Sequence, residues 1–223
     1  MEWTPLFLTL ELALITTVLL FILALPLSYA LAFYRNSWSP LFEAIISMPL
    51  VLPPTVIGFY LLIVLSPNSS LGGFLSENLG IDLVFSFPGL VIASLIYSLP
   101  FMVQPIKSGM MNLPSSYRES AMVMGKSEWI ILKQVVLPSI KPSLLTGLVL
   151  SFAHTIGEFG VVLMIGGSIP GETKLASIAI YDEVESLNYA AAHEYSIVLV
   201  CLSFLILLGA YSFNQNSLKK WWI

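Results

Sequence analysis

His154 and Glu158 stand four residues apart in a long apolar stretch, and side chains at that spacing share one face of a helix. Gly147 and Ser151 belong to the same face. An ionisable group inside a membrane is costly, and it normally faces a bundle interior or a water-filled path. The pair therefore reads as part of a pathway or gate, made of Ser151, His154, Gly157, Glu158 and Gly160. Gly157 and Gly160 flank the carboxyl and permit bending or close approach. The alternative is a polar pair that only locks helices together. A charged Glu158 would repel an anion, so gating suits it better than direct substrate contact. The other histidine, His193, falls in an outer loop, and no metal site is expected.

Two further patterns are weighed and set aside. Gly166-Gly167-Ser168-Ile169-Pro170-Gly171-Glu172-Thr173 has the glycine spacing of a phosphate-binding loop, but Glu172 stands where such a loop needs a lysine. No nucleotide site and no cofactor are expected on this chain, so any ATP and Mg belong to a partner. Cys201 is the sole cysteine; with two distant histidines it makes no nucleophile–base constellation. No catalytic residue is expected, and the chain reads as a non-enzyme.

Composition dictates what must position these residues. Of 223 residues, 57% are hydrophobic and 10% charged, against about 25% charged in soluble domains. Apolar runs of about 20 residues cross a bilayer core of about 30 Å. Five such helical spans are expected, over Leu6–Phe33, Leu41–Leu65, Pro88–Val103, Leu144–Ile165 and Tyr195–Phe213, in one all-α domain covering residues 1–223. A cleaved signal peptide is not expected, since Met1-Glu2-Trp3 lacks a positive start. With five spans, Arg35, Lys107, Arg118, Lys126, Lys133, Lys141, Lys219 and Lys220 fall on one side, and Lys174 on the other. The positive-inside rule then sets the N-terminus outside and the C-terminus in the cytoplasm. Trp3, Trp38, Trp129, Trp221 and Trp222 avoid the span centres, as interfacial anchors do.

Within the second span, Pro49, Pro53 and Pro54 must interrupt the backbone ladder. This is either a simple kink or a hinge lining a cavity. Ser143, Gly147, Ser151 and Thr155 repeat every four residues, a pattern for close helix packing in lipid, including packing against a second copy. Residues 66–87 read as an outer loop. Residues 166–194 form another, with a short helix around Leu175–Asp182.

Residues 104–143 form a polar inner island. Ser116-Tyr117-Arg118-Glu119 reads as a capping box that starts a short helix. Gly125 suits its left-handed end, and a second helix is expected from Ser127 to just before Pro138. The pattern Glu119-Ser120-Ala121-x3-Gly125-x9-Val135-x-Leu137-Pro138 resembles the EAA motif of permease subunits in binding-protein-dependent ATP-binding-cassette importers, with Ser120 for an alanine and Val135 for an isoleucine. Met48-Pro49-Leu50-Val51-Leu52-Pro53-Pro54 and Ser151-Phe152-Ala153-His154-Thr155-Ile156-Gly157-Glu158-Phe159-Gly160 are similar to the corresponding segments of molybdate permeases, and sulfate permeases are related.

That resemblance implies a homodimeric inner-membrane permease working by alternating access. It implies an ATPase dimer docked on a coupling segment, here Ser116, Arg118, Glu119, Ser120, Ala121, Gly125, Leu137 and Pro138. It also implies a periplasmic or extracellular oxyanion-binding protein. Molybdate is the expected substrate, with sulfate, thiosulfate or tungstate as alternatives; an ATP-independent secondary transporter is the reading from another class. No nucleic-acid partner is expected.

Overall fold

The computed structural model describes the backbone of residues 2–34 and 37–219, and their side chains except at 210, 211 and 213–219. Arg35, Lys220, Trp221 and Trp222 lie outside the described residues, as does the side chain of Lys219.

Helix α1 (Thr4–Phe33) is 30 residues long and carries Pro5 in its first turn, where a missing N–H leaves nothing unsatisfied. Helix α2 (Ser39–Ser47), a 3₁₀ turn (Met48–Leu50) and α3 (Pro54–Leu65) follow. The proline cluster turns this second segment by 108°, so it is a bent pair rather than a straight span. Helix α4 (Ser70–Leu79) occupies part of the expected outer loop. Ser69 Oγ accepts from Gly72 N at 2.8 Å, and Gly80 closes the helix at φ 64°. Those two caps were readable as punctuation; the Ser- and Asn-rich composition obscured the helix between them.

Helix α5 (Phe87–Met111) runs eight residues past the expected end at Val103. Pro100 and Pro105 lie inside it, tolerated where neighbouring helices re-satisfy freed backbone groups. Lys107 consequently belongs to α5, where it pairs with Glu43 of α2. Helices α6 (Ser115–Val123) and α7 (Glu128–Ile131) then form the island. A π-helical turn (Leu132–Val136) and α8 (Leu137–Ser139) continue α7.

The fourth segment is α9 (Lys141–Ile156) followed, after a break, by α10 (Gly160–Gly166). Helix α11 (Ala176–Glu185) matches the expected short outer helix, and α12 (Tyr189–Lys219) completes the chain. Among the described residues three helices are long and apolar enough to cross a membrane, and up to five segments if each bent pair, Ser39–Leu50 with Pro54–Leu65 and Glu128–Ser139 with Lys141–Ile156, counts as one span.

Helices α1, α5 and α9 pack against one another in the centre, with α10 lodged between α3 and α5. The small-residue stripe serves this packing. A Cβ at Gly109 of α5 would lie 2.6 Å from Ser143 Cβ, and one at Gly147 would lie 3.2 Å from the Met102 carbonyl. The stripe therefore seats α9 on α5 of the same chain, because only small residues permit that approach. Outward, α1 and α12 expose Phe7, Leu14, Val18, Ile22, Ile197, Val200, Phe204 and Leu205, a surface suited to acyl chains rather than water.

The island belongs to the same core. Ala121, Ile131, Val136 and Ile140 are buried in one cluster with Leu20, Ala24, Tyr29, Met102, Ile106 and Met110 of α1 and α5. Burying those side chains joins the inner segment to the spans.

Candidate functional site: two opposed helix breaks and an inner-face helical island

The fourth segment does not run straight through Glu158. Gly157 ends α9 at φ −87°, ψ 0°, with its N–H reaching the carbonyls of Ala153 and His154 at 3.3 and 3.1 Å. Phe159 has φ −130°, ψ −60°, and α10 begins only at Gly160. The expectation that His154 and Glu158 share one helical face is therefore incorrect. Gly157 and Gly160 hold the helix poorly, so the chain unwinds between them. The Glu158 carbonyl freed by the break accepts a hydrogen bond from Ser177 Oγ of α11 at 2.7 Å, which satisfies a backbone group that lipid could not.

The two residues nevertheless meet at one cavity. It has a volume of about 490 Å³ and is lined by Pro54, Thr55, Tyr97, His154, Glu158, Gly160 and neighbouring apolar groups. Pro54 and Thr55 start α3, directly after the proline break of the second segment. A Cβ on Gly160 would stand 2.8 Å from Pro54 Cβ and 3.4 Å from the Thr55 nitrogen. Each broken segment thus sets its break against the other, and the cavity lies at their junction.

Glu158 is 3% exposed, and neither carboxyl oxygen has a hydrogen-bond partner among the described residues. Ser94 of α5 lies near enough to act on the carboxyl but outside good hydrogen-bond geometry, and its own hydroxyl is also unpartnered. Such a group is expensive to bury. Among the described residues no well-formed hydrogen bond offsets that cost.

His154 is held firmly. Its ring stacks on Phe101 at a centroid separation of 3.9 Å and tilts against Tyr97 at 4.8 Å. Thr155 Oγ1 donates to the Ser151 carbonyl at 2.9 Å, so it receives at its contact with Ser98 Oγ, 3.2 Å away. Ser98 then has no second proton for His154 Nδ1 at 2.9 Å. Counting donors this way assigns a hydrogen to Nδ1. Sequence reading missed Ser98, Tyr97, Phe101 and Thr55, whereas Pro54 was among the prolines read as a kink or a cavity-lining hinge. The four-residue spacing of Ser94 and Ser98 in an apolar helix was the available signal.

In the island, the first helix ends as its glycine dictates. Gly125 has φ 72°. Its N–H bonds to the Met122 carbonyl at 2.9 Å, and the Lys126 N–H bonds to the Ala121 carbonyl at 3.1 Å, the paired bonds of a Schellman turn. The capping box is not formed. Pro114 is the residue before the helix, which starts at Ser115; Ser116 is thereby drawn into the first turn, where its hydroxyl cannot cap. Pro138 does not end the second helix either. It sits within α8, preceded by the widened π turn of Leu132–Val136. A wider turn leaves room for the proline ring against the preceding carbonyl.

The coupling residues divide by orientation. Glu119, Ser120, Gly125 and Pro138 are exposed, Leu137 is half-buried, and Ala121 is buried toward the spans. Ala121 therefore shapes the island rather than its outer face. Arg118 also turns inward. Its Nη2 reaches both carboxylate oxygens of Glu128 at 3.1 and 3.2 Å, and its guanidinium lies 4.1 Å over the Phe33 ring. The hydrogen bond from the Tyr29 hydroxyl, followed by Arg118, holds the Glu128 carboxyl below its usual range. Val123, Met124 and Trp129 face outward, at 88%, 69% and 71% exposure. Val123 and Met124 were not singled out in the sequence, where an apolar residue in an apolar chain carries no signal, and Trp129 was read there only as an interfacial anchor.

At the outer end, the glycine-rich loop is tied into a compact turn. Thr173 Oγ1 donates to the Gly166 carbonyl at 2.6 Å, and Ser168 Oγ to Asp182 at 2.7 Å. Lys174 pairs with the same Asp182 at 2.9 Å, which raises the lysine above its ordinary value.

Apolar segments broken at prolines and glycines around a cavity that holds a buried carboxyl and a histidine, joined to a short helical island, define a polytopic membrane protein. The chain belongs to the family described as "Binding-protein-dependent transport system inner membrane component", whose model matches residues 21–221. It is 45% identical over 206 residues to the "Molybdenum transport system permease protein ModB" of Azotobacter vinelandii, covering 92% of this chain and 91% of that one. A putative molybdenum transport permease of Bacillus subtilis is 38% identical, covering 74% and 73% of the two chains. The sulfate transport system permease protein CysT of Salmonella typhimurium is 30% identical, covering 95% and 74%. Among solved structures, a bacterial ABC transporter involved in alginate import superposes with a TM-score of 0.78 at 17% identity, covering 96% of this chain and 78% of that chain. The MetNI methionine ABC transporter superposes at 0.73 and 16%, covering 95% and 94%. At those identities the superpositions establish the shared permease fold.

Proposed function

We propose that this chain is the permease subunit of an ATP-driven importer that carries molybdate from the periplasmic or extracellular side into the cytoplasm. The observation that carries the proposal is the island: a helix closed by the Gly125 turn, seated on α1 and α5, with Glu119, Val123, Met124 and Trp129 facing away from the spans. Such a rigid projecting element suits the cleft of a separate ATPase, which supplies ATP and Mg. The identity to molybdenum permeases supports molybdate; the 30% identity to a sulfate permease keeps sulfate as the second reading.

In this account two copies of the chain enclose the path. ATP binding closes the ATPase pair, the islands move with it, and the helix bundle rocks to accept the anion from a binding protein outside. The cavity at the two breaks, with Glu158 and His154, acts as pathway or gate. The N-terminus lies outside and the C-terminus in the cytoplasm, as the lysine distribution requires.

Co-expression with the ATPase and binding protein of the same transport system provides the test. A stable complex and ATP-dependent molybdate uptake are expected. Cysteines introduced at Asn68 and Glu185 of a Cys201→Ser variant should label from outside, and one at Lys126 should not. Labelling of Lys126 from outside in intact cells would overturn the orientation.

A further inference from the structure

The island is covalently continuous with α5 at one end and α9 at the other, but it has no covalent neighbour in α1. Its polar tie to α1 comes from three side chains. Tyr29, one turn from the inner end of α1, donates its hydroxyl to Glu128 across 99 residues of sequence. Glu128 also receives both contacts from Arg118, and the Arg118 guanidinium lies over Phe33 and, at 5.8 Å, over Tyr29 itself. Arg118 comes from α6 and Glu128 from α7, on either side of the Gly125 turn. The same contacts therefore fix the angle between the two island helices and fasten both to α1.

We propose that Tyr29, Arg118 and Glu128 are positioning residues of transport: a clamp that carries the island's displacement into α1, and so into the bundle around the cavity. The proposal rests on the reading of the island as the ATPase-docking element. Apolar packing of Ala121, Ile131 and Val136 also joins island and spans, but such contacts slide at little cost. A guanidinium nitrogen shared between both oxygens of a carboxylate that also accepts a tyrosine hydroxyl makes charge-assisted, directional bonds that resist sliding. Stacking on Phe33 adds a further orienting contact. Tyr29 is 8% exposed, so a docked partner cannot reach it, and its removal reports on the clamp alone.

Tyr29→Phe deletes one hydroxyl and keeps the ring. The variant is measured in proteoliposomes holding the complete complex of permease, ATPase and binding protein, with molybdate transported per ATP hydrolysed as the readout. The ATPase is expected to stay bound and active, while the anion-to-ATP ratio falls about tenfold or more, the scale of one lost hydrogen bond to a charged group. Glu128→Ala, at a half-exposed position, should lower the ratio similarly and serves if Tyr29→Phe fails to accumulate. The double variant should be no worse than the poorer single one, because both break one tie. An unchanged ratio in either assembled variant, or loss of ATPase binding in Tyr29→Phe, overturns the clamp. Val123→Asp separates the two ideas: it should detach the ATPase, and retention of a normal complex there would overturn the docking reading instead.

Discussion

Gly160 lies so close to Pro54 that a single added Cβ would stand 2.8 Å from the proline's own Cβ. This contact joins the break in the fourth segment to the break in the second, and the cavity lined by His154 and Glu158 opens beside it. Real Cβ atoms do not approach so closely, and the two nearest atoms here belong to the rigid Pro54 ring and to the Thr55 backbone.

Gly160→Ala should therefore push the two breaks apart. Overpacking of this kind costs about 1–3 kcal/mol. The expected outcome is a lower melting temperature in detergent and reduced transport, with the ATPase still bound. Gly209→Ala, where nothing lies within 4 Å, is the matched control and should behave as the parent does.

Glu158→Gln keeps the shape of the side chain and removes its ionisable proton. If the carboxyl serves the pathway, transport or basal ATP hydrolysis changes while the protein still inserts and assembles. Wild-type levels of both would leave Glu158 as a buried structural group, and so would failure to accumulate.

The hydrogen-bond chain through His154, Ser98, Thr155 and the Ser151 carbonyl makes a spectroscopic prediction. Nitrogen-15 NMR of labelled histidine should show His154 as the Nδ1–H tautomer. Ser98→Ala removes the acceptor of that hydrogen and should shift the signal toward the Nε2–H form, whereas Ser98→Thr should preserve it. An Nε2–H ring in the parent protein would show that the chain runs in the opposite sense.

At Gly125 the surroundings are open, so a side chain there meets no clash and the φ of 72° alone matters. Gly125→Val forces a β-branched residue into left-handed backbone, at about 1–2 kcal/mol or more. Insertion of the spans should be unaffected, while ATPase co-purification or substrate-stimulated hydrolysis is lost. Gly125→Asn, better tolerated in that conformation, should retain most of it. Normal coupled transport in both Gly125→Val and Glu119→Lys would reduce the island to a connecting loop.

The legibility of these features in the sequence follows from how local their causes are. Long apolar runs announced α1 and α12, and Gly125 announced its turn, because hydropathy and a missing Cβ act within a few residues. Pro49, Pro53 and Pro54 announced a break but not its 108° angle, which depends on what α3 packs against. The end of α5 lies beyond the expected Val103: the apolar run stops there, before Gln104 and Lys107, whereas the helix continues through Pro105 to Met111. The sharing of a helix face by His154 and Glu158 failed for the converse reason: Gly157 and Gly160 were read as permitting a bend, and the chain in fact unwinds between them. The neighbours that define the sites, Ser98 to His154 and Tyr29 to Glu128, are separated by 56 and 99 residues. No spacing rule reaches that far.

The central claim is that this chain passes an oxyanion when, and only when, a separate ATPase works on its inner face. The most direct measurement is uptake of radiolabelled molybdate into proteoliposomes carrying the permease and its ATPase, with ATP and Mg enclosed and the loaded binding protein outside. The account predicts uptake that requires ATP, stops with a hydrolysis-deficient ATPase, and is abolished by Gly125→Val in the permease. Uptake that persists without ATP, or that proceeds at the full rate with the island disabled, would contradict it.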